Sequence, residues 1–292
     1  MRKGLPTVME LVKKTADFFA AEGIASARLD AEVLLADVLG LDRIHLYVNF
    51  DRPLEEAEVD RYRQAVIRRA QRVPVAYITG EKEFMSLPFS VNPQVLIPRP
   101  ETELLVERVV SLLPREFATG GAKVADIGTG SGVIAICLAL QSQVEEVWAT
   151  DISPSALQVA RANAARHQVE GKIRWVQGDM LKPLEHLGPD FFDFIVSNPP
   201  YVPTAAIGKD CPEVLKEPRK ALDGGRDGLA YYRILVDQAP GLLRPGGWLC
   251  LEIGADQGPR VQRLMEQSGR FDSPQIIKDL ANLDRVVIGR VR

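Results

Sequence analysis

The chain is poor in the residues that build disulfide frameworks and metal sites. Its 292 residues include three cysteines and three histidines. Cys137, Cys211 and Cys250 are far apart, odd in number and outside any C-x-x-C pair, which argues against a disulfide scaffold or a zinc site and points to a reducing compartment. His45, His167 and His186 are scattered and suggest no shared site. Long hydrophobic runs are missing as well. The longest, Val133 to Leu140, is far too short to span a bilayer, so no membrane association is expected. Met1-Arg2-Lys3 is basic, but Glu10 and Asp17 interrupt the amphipathic stretch beyond it, so no signal peptide is read and a cytoplasmic location is expected. A strong excess of charge is also lacking. A net charge of -3 supplies no general electrostatic reason to coat nucleic acid, and no stable nucleic-acid binding is expected. What is present, 46% hydrophobic and 26% charged residues, suffices for a full core and for two domains.

Residues 1–75 read as a small helical bundle suited to recognition. Thr7 with Glu10 three residues later forms a capping box, opening a helix whose apolar face includes Leu11, Val12 and Phe19. Ser26 begins a second helix, with Leu34, Leu35 and Val38 inward and Gly40 as its stop. A short third segment holds Ile44, Leu46 and Tyr47, and Pro53 introduces a longer helix through Val59, Tyr62 and Val66. Arg61, Arg63, Arg68, Arg69 and Arg72 crowd that last helix. Two readings are open: a docking face for an acidic partner or RNA, or a solvated face balanced by Glu55, Glu56, Glu58 and Asp60, which is the favoured one.

Residues 76–100 read as a linker. Gly80, Pro88, Asn92 and Pro93 break Phe84, Phe89, Val91 and Leu96 into a β-hairpin over Tyr77 to Ile97. Pro98-Arg99-Pro100 then stiffens the entry to a helix through Leu104, Leu105 and Val109, whose acidic first turn, Glu101 and Glu103, suits the positive helix end. Over 101–292 the pattern alternates strand and helix. Strands fit at Lys123 to Asp126, Glu146 to Thr150, Ile173 to Gln177, Phe191 to Ser197, Gly247 to Ile253, and near Ile276 and Val286. This predicts an α/β, Rossmann-like, doubly wound and mostly parallel seven-stranded sheet. Right-handed crossovers would line up the strand ends Asp126, Asp151, Asp179 and Asn198 along one edge.

Three of those ends carry motifs. Gly128-Thr129-Gly130-Ser131-Gly132 follows the first strand; its glycines admit close backbone approach, and a helix beginning near Ser131 would aim free N–H groups at a ligand. A nicotinamide-type G-x-G-x-x-G would need glycine in place of Val133, so that fingerprint is not met. Asp151, 19 residues beyond Gly132, reads as an acceptor for two ribose hydroxyls or as a helix cap before Ser153-Pro154. Asp179 and Met180 read as flanking an adenine or as an ordinary acidic loop. Asn198-Pro199-Pro200-Tyr201 offers an amide carbonyl, proline carbonyls without competing N–H donors, and an aromatic wall, all suited to a flat NH2 group. A strand-terminating turn is the plain alternative.

Taken in order, these motifs resemble the class I S-adenosylmethionine-dependent methyltransferases that act on planar nitrogen. Adenine N6 and a glutamine side-chain amide both present such an NH2, so Asn-Pro-Pro-Tyr does not separate nucleic-acid from protein substrates. Pro74-Val75-Ala76-Tyr77-Ile78-Thr79-Gly80, Glu83-Phe84 and Val95 through Glu103 resemble the release factor glutamine methyltransferases, the HemK or PrmC family, as do Glu217-Pro218, Ala221-Leu222, Gly224-Gly225 and Asp227-Gly228-Leu229. The resemblance covers nearly the whole chain. It implies methylation of the glutamine in the Gly-Gly-Gln motif of peptide chain release factors, with S-adenosyl-L-methionine as cofactor. Gly128 to Gly132, Asp151, Asp179, Met180 and Asn198 would bind the cofactor, and Asn198 to Tyr201 the glutamine. An adenine methyltransferase and a ribosomal-protein glutamine methyltransferase are the alternatives. No metal is required, the release factor is the expected partner, and a monomer is the expected state.

Overall fold

The computed structural model describes residues 5–117, 121–209 and 211–292. Two compact units are present. One runs to Glu81 and includes Cys211–Lys216; the other comprises the remainder from Lys82 onward.

The first unit is helical, with α1 (Val8–Ala21), α2 (Ala27–Leu39), α3 (Arg43–Val48), α4 (Glu56–Ala70) and α5 (Val75–Thr79). The expected capping box opens α1: Glu10 N donates to Thr7 Oγ1, and Thr7 N donates to Glu10 Oε2 at 3.0 Å. Gly40 ends α2 in the left-handed conformation that its lack of a Cβ permits. Val8, Val12, Phe19, Leu34, Leu35 and Tyr62 form the core. In α3 only Leu46 is buried, while Ile44 and Tyr47 are exposed.

Arg61, Arg63 and Arg68 of α4 are exposed, as a solvated face requires, but Arg69 departs from it. Arg63 behaves as expected, pairing with Asp60 at the surface. Arg69 is buried, donating to Asp30 Oδ2 at 2.7 Å and to Glu213 Oε1 at 3.1 Å, and Arg72 reaches Glu213 and the Glu22 carbonyl. Arg68 donates to the Tyr77 carbonyl. Taking a guanidinium out of water is tolerated only with such partners. Two of them, Asp30 and Glu213, stand 39 and 144 residues from Arg69 and are therefore invisible to a local charge count.

The second unit contains β1 (Glu81–Phe84) from its second residue on, β2 (Leu87–Ser90), α6 (Glu101–Glu116), β3 (Ala122–Ile127), α7 (Val133–Ala139), β4 (Val144–Asp151), α8 (Pro154–Arg166), β5 (Ile173–Gln177), β6 (Phe192–Ser197), α9 (Ala230–Gln238), β7 (Leu243–Glu252), α10 (Gly258–Ser268), β8 (Phe271–Lys278) and β9 (Asp284–Val291). Strands β3 to β9 form a seven-stranded sheet in the order β5-β4-β3-β6-β7-β9-β8. The first five are parallel, and β9 runs antiparallel to both β7 and β8. This is the expected doubly wound sheet. Central β6 is buried along its entire length, as an apolar run covered on both faces must be. The strand order reverses beside β3, so the crevice outside the β3 and β6 ends is the switch point where such sheets hold ligands.

The hairpin is shorter than the sequence suggests. Tyr77 lies in α5, and 91–100 are irregular rather than a strand. Its two-residue loop is Met85-Ser86, both at positive φ, with none of the glycine or asparagine that usually marks such a turn. Phe84 and Phe89 meet edge to face at 6.1 Å and are fully buried. Glu103 does more than suit the helix end, because its carboxylate accepts the Met85 N–H at 2.7 Å.

Candidate active site

The loop after β3 is tied down almost entirely by its neighbours. Gly128 N and Thr129 N both donate to the Thr150 carbonyl at the end of β4, at 2.9 and 2.8 Å. Asp126 is wholly buried beneath the loop; its Oδ2 accepts from Thr129 Oγ1 at 2.6 Å and from Ala135 N at 3.1 Å. Burial pushes its carboxyl up to about 7, against the pull of those two hydrogen bonds, and Oδ1 has no partner among the described residues. Helix α7 starts at Val133, two residues after the expected point. One of its first N–H groups, on Ala135, serves Asp126 instead of a ligand.

The glycines divide by role. A Cβ on Gly128 or Gly130 would meet no protein atom within 4 Å, so their positive φ leaves open space above the loop. A Cβ on Gly132 would lie 3.0 Å from the Ala160 Cβ, so this glycine allows α7 and α8 to pack closely. Asn163 of α8, fully buried, steadies the loop by donating to the Ser131 carbonyl at 2.9 Å, while holding the Ser90 backbone of β2 through its N–H and C=O. Nothing in the sequence pattern marks Asn163 as anything but a helix residue.

Asp151 ends β4 as expected. Its Oδ2 accepts Gly130 N at 2.9 Å and its Oδ1 accepts Ser153 N at 2.8 Å. The cap of α8 is Ser153, whose hydroxyl accepts Ala156 N, so Asp151 is not that cap. Each carboxylate oxygen keeps a lone pair beyond its backbone partner. Burial raises its pKa against those backbone bonds. Asp179 follows β5 on the surface, paired with Lys182 at 2.6 Å; Met180, at positive φ and partly buried, packs against the core.

Asn198 follows β6. Its Nδ2 donates to Thr102 Oγ1 at 3.1 Å, which turns the carboxamide oxygen away from α6. Among the described residues no donor takes Asn198 Oδ1 or the Pro199 carbonyl. Pro199 is buried, and Pro200 and Tyr201 are partly so. Burial pushes the Tyr201 phenol up to about 12, so it stays neutral and cannot serve as a base at neutral pH.

Remote segments hold this turn. Gln257 donates to the Tyr201 carbonyl at 3.0 Å, and Val202 pairs with Asp223 through bonds to Leu222 and Gly224. A Cβ on Gly224 or Gly228 would come within 2.8 Å of Tyr201 backbone, so both glycines exist to let two chains pass. Glu217, buried, accepts Ile97 N at 3.1 Å and Arg99 Nη2, binding 97–100 to the same region. Gly224 and Gly228 thus brace the Asn198 turn, and Glu217 ties down 97–99, roles that spacing alone does not reveal. The sheet therefore brings Gly128 to Gly132, Asp151, Asp179, Met180 and Asn198 to Tyr201 to one edge. Among the described residues no group of three or more His, Cys, Asp or Glu side chains is placed to hold a metal, and no helix is long and apolar enough to cross a membrane.

Comparison with known proteins gives the family and the fold. Residues 10–80 match the PrmC N-terminal domain and residues 101–228 the methyltransferase small domain. The fold is shared with a T. thermophilus 16S rRNA methyltransferase solved with AdoMet and guanosine, at TM-score 0.51, 20% identity and coverage of 73% of this chain and 50% of that one. It is shared too with the N-terminal domain of human METTL16, at TM-score 0.51 and 16% identity, covering 80% and 81% of the two chains. The release factor glutamine methyltransferase of Geobacter sulfurreducens is 44% identical over 98% of this chain and 97% of its own length. That of Moorella thermoacetica is 48% identical over 91% and 92%. At that identity and coverage the chain belongs to the release factor glutamine methyltransferase family.

Proposed function

We propose that this chain methylates the side-chain amide nitrogen, N5, of the glutamine in the Gly-Gly-Gln motif of peptide chain release factors, using S-adenosyl-L-methionine and releasing S-adenosyl-L-homocysteine. The observation that carries this reading is the Asn198 carboxamide, held by Thr102 through its NH2 so that Oδ1 is left with lone pairs to offer, beside a Pro199 carbonyl that no described donor takes. Two such acceptors match the two hydrogens of one amide NH2. The open space over Gly128 and Gly130, with Asp151 beside it, fits a nucleoside-bearing cofactor.

In this reading Gly128, Thr129, Gly130, Ser131 and Gly132 supply backbone to the cofactor, Asp151 takes its ribose hydroxyls, and Asp179 and Met180 flank its base. Bound there, S-adenosyl-L-methionine supplies an electrophilic methyl group on a sulfonium. An amide nitrogen is a weak nucleophile because its lone pair is delocalised into the carbonyl. Asn198 Oδ1 and the Pro199 carbonyl, accepting its two N–H bonds, aim that lone pair and stabilise positive charge growing on nitrogen. Pro200 shapes the turn and neutral Tyr201 walls the slot. The nitrogen turns acidic as the new bond forms, so its proton leaves late, to water, without a dedicated base.

Because Asn198 and Pro199 read an NH2 and not what lies behind it, selection of the release factor falls to the helical region, residues 1–75, with 76–100 as linker. Exposed Ile44, Val48 and Phe50 suit a protein surface. The reaction belongs in the cytoplasm, where release factors act. Incubation with labelled methyl donor should mark one glutamine of an intact release factor and none in its Gln→Ala variant. Labelling of adenine in a duplex with no labelling of release factor would replace this reading with the nucleic-acid one.

A further inference from the structure

Helix α8 and its C-terminal cap carry a stripe of residues that runs from the glycine loop to the hairpin. Ala160, Asn163 and His167 stand three and four residues apart and so share one face. At one end, Ala160 packs where a Cβ on Gly132 would come within 3.0 Å. At the other, His167 Nε2 donates to the Pro88 carbonyl at 2.9 Å, and its ring centroid lies 4.9 Å from that of Phe89. Asn163 sits between them with both amide hydrogens engaged. One goes to the Ser131 carbonyl at 2.9 Å and the other to the Ser90 carbonyl at 3.0 Å, while Oδ1 accepts Ser90 N at 2.8 Å. At 0% exposure no water competes for these bonds, and a planar amide that rotates away from one partner leaves the others. Strand β2 is anchored in turn, because Glu103 takes the Met85 N–H in the loop before it at 2.7 Å.

The peptide unit joining Ser131 to Gly132 depends on this amide. Its N–H closes a turn on the Thr129 carbonyl at 2.9 Å, with Gly130 and Ser131 at the corner. Its carbonyl would ordinarily accept the Ala135 N–H four residues on, but that N–H is given to Asp126. The bonds from Thr150, Asp126 and Asp151 reach Gly128, Thr129 and Gly130 and stop short of this unit. Asn163 therefore holds one end of a rigid plane whose other end closes the turn.

We infer that Asn163 is a positioning residue that makes the hairpin part of the cofactor site: Ser90 seated on Asn163 fixes the 131–132 peptide, and S-adenosylmethionine binds more tightly to the turn so held. It rests on the reading in which Gly128 to Gly132 hold the cofactor. Without the amide, the 131–132 plane is free to rotate and the turn loses its single arrangement. Linkage runs both ways. A cofactor that favours the closed turn holds Ser90 against Asn163 by the same factor.

Calorimetry with S-adenosylmethionine on the wild type is run first, since a chain that binds none sinks the cofactor reading itself. Asn163→Ala should raise the dissociation constant about tenfold. Ser90→Pro removes the N–H that Oδ1 accepts and should raise it about threefold, whereas Ser90→Ala keeps both backbone groups and should stay within about twofold. The double variant Ser90→Pro, Asn163→Ala should match Asn163→Ala within about twofold, because both changes act through one amide. In the wild type, exchange of the Ser90 amide proton, followed by NMR, should slow about tenfold when S-adenosylmethionine saturates the protein. Unaltered affinity in a folded Asn163→Ala, effects that multiply in the double variant, or a Ser90 proton whose exchange ignores the cofactor would each overturn the inference. If Asn163→Ala does not fold, the wild-type exchange measurement and Ser90→Pro decide.

Discussion

The two halves of the candidate site are held in opposite ways. Apart from Asn163 of α8, which holds the Ser131 carbonyl, the glycine loop after β3 is fixed by what lies next to it: its own Asp126, the Thr150 carbonyl and the Asp151 carboxylate at the end of the adjacent strand. The Asn198 turn after β6 is fixed from far away, by Thr102, Gln257, Gly224 and Gly228. The loop presents backbone and needs little beyond the right φ values. The turn must present one side-chain carbonyl in one orientation, and a rotatable amide is oriented only by partners that other elements bring to it. Damage to the first half should therefore read out as cofactor affinity, and damage to the second as turnover.

The sharpest test of that division is Asn198→Ala. Turnover should fall by roughly 100- to 1,000-fold, the scale of removing one preorganised partner of a transition state, while calorimetric affinity for S-adenosylmethionine stays within a few-fold. A folded variant with near-normal turnover would reduce the turn to a strand terminator.

Gly228→Ala probes the same half without touching a reacting group. Its Cβ would sit 2.5 Å from the Tyr201 carbonyl oxygen and 2.7 Å from Gln257 Nε2 at positive φ, so the turn must shift. A displacement on the order of 1 Å should cost up to about 100-fold in kcat. Cofactor affinity unaltered together with kcat unaltered would show that the brace is dispensable.

On the other side of the comparison, Asp151→Ala should raise the S-adenosylmethionine dissociation constant by about 10- to 100-fold, from loss of charged hydrogen bonds of about 1.5 to 3 kcal/mol. Part of that loss comes through Gly130, whose N–H the carboxylate also holds. Calorimetry showing unchanged affinity would confine Asp151 to that backbone role.

The smallest effect is on stability. Asp126 and Glu252, which ends β7, are both raised by burial to about 7 from ordinary values of 3.8 and 4.5. Between those values and 7 the folded chain holds protons that the unfolded chain has released, so stability falls as pH rises through this window, and the cost is fully present above about 7. Glu252→Gln removes one such group. Its melting temperature relative to wild type should become more favourable by a few degrees from pH 5.5 to pH 8, as measured by scanning calorimetry. A difference independent of pH would mean that Glu252 ionises at its ordinary value.

The sheet is legible in the sequence because buried parallel strands are short apolar runs separated by helical periodicity, and β5 matches its expected span of Ile173 to Gln177. Helix starts and stops with local chemistry are equally legible, such as the Thr7–Glu10 box and Gly40. The extent of the hairpin is not, because Met85 and Ser86 adopt positive φ without a turn signature, leaving Val91 and Leu96 to mimic strand alternation. Nor is the burial of Arg69, because a charge pattern along one helix carries no information about Asp30 or Glu213.

What the sequence determined by itself is therefore whatever depends on near neighbours: strand and helix type, the glycine loop, and the residue types at each strand end. Only the tertiary structure decided how those residues are aimed. Thr102, Asn163, Gln257 and Glu217 look like ordinary helix and loop residues until folding buries them, because burial removes water as a competing partner and leaves each donor and acceptor the few neighbours that other segments supply.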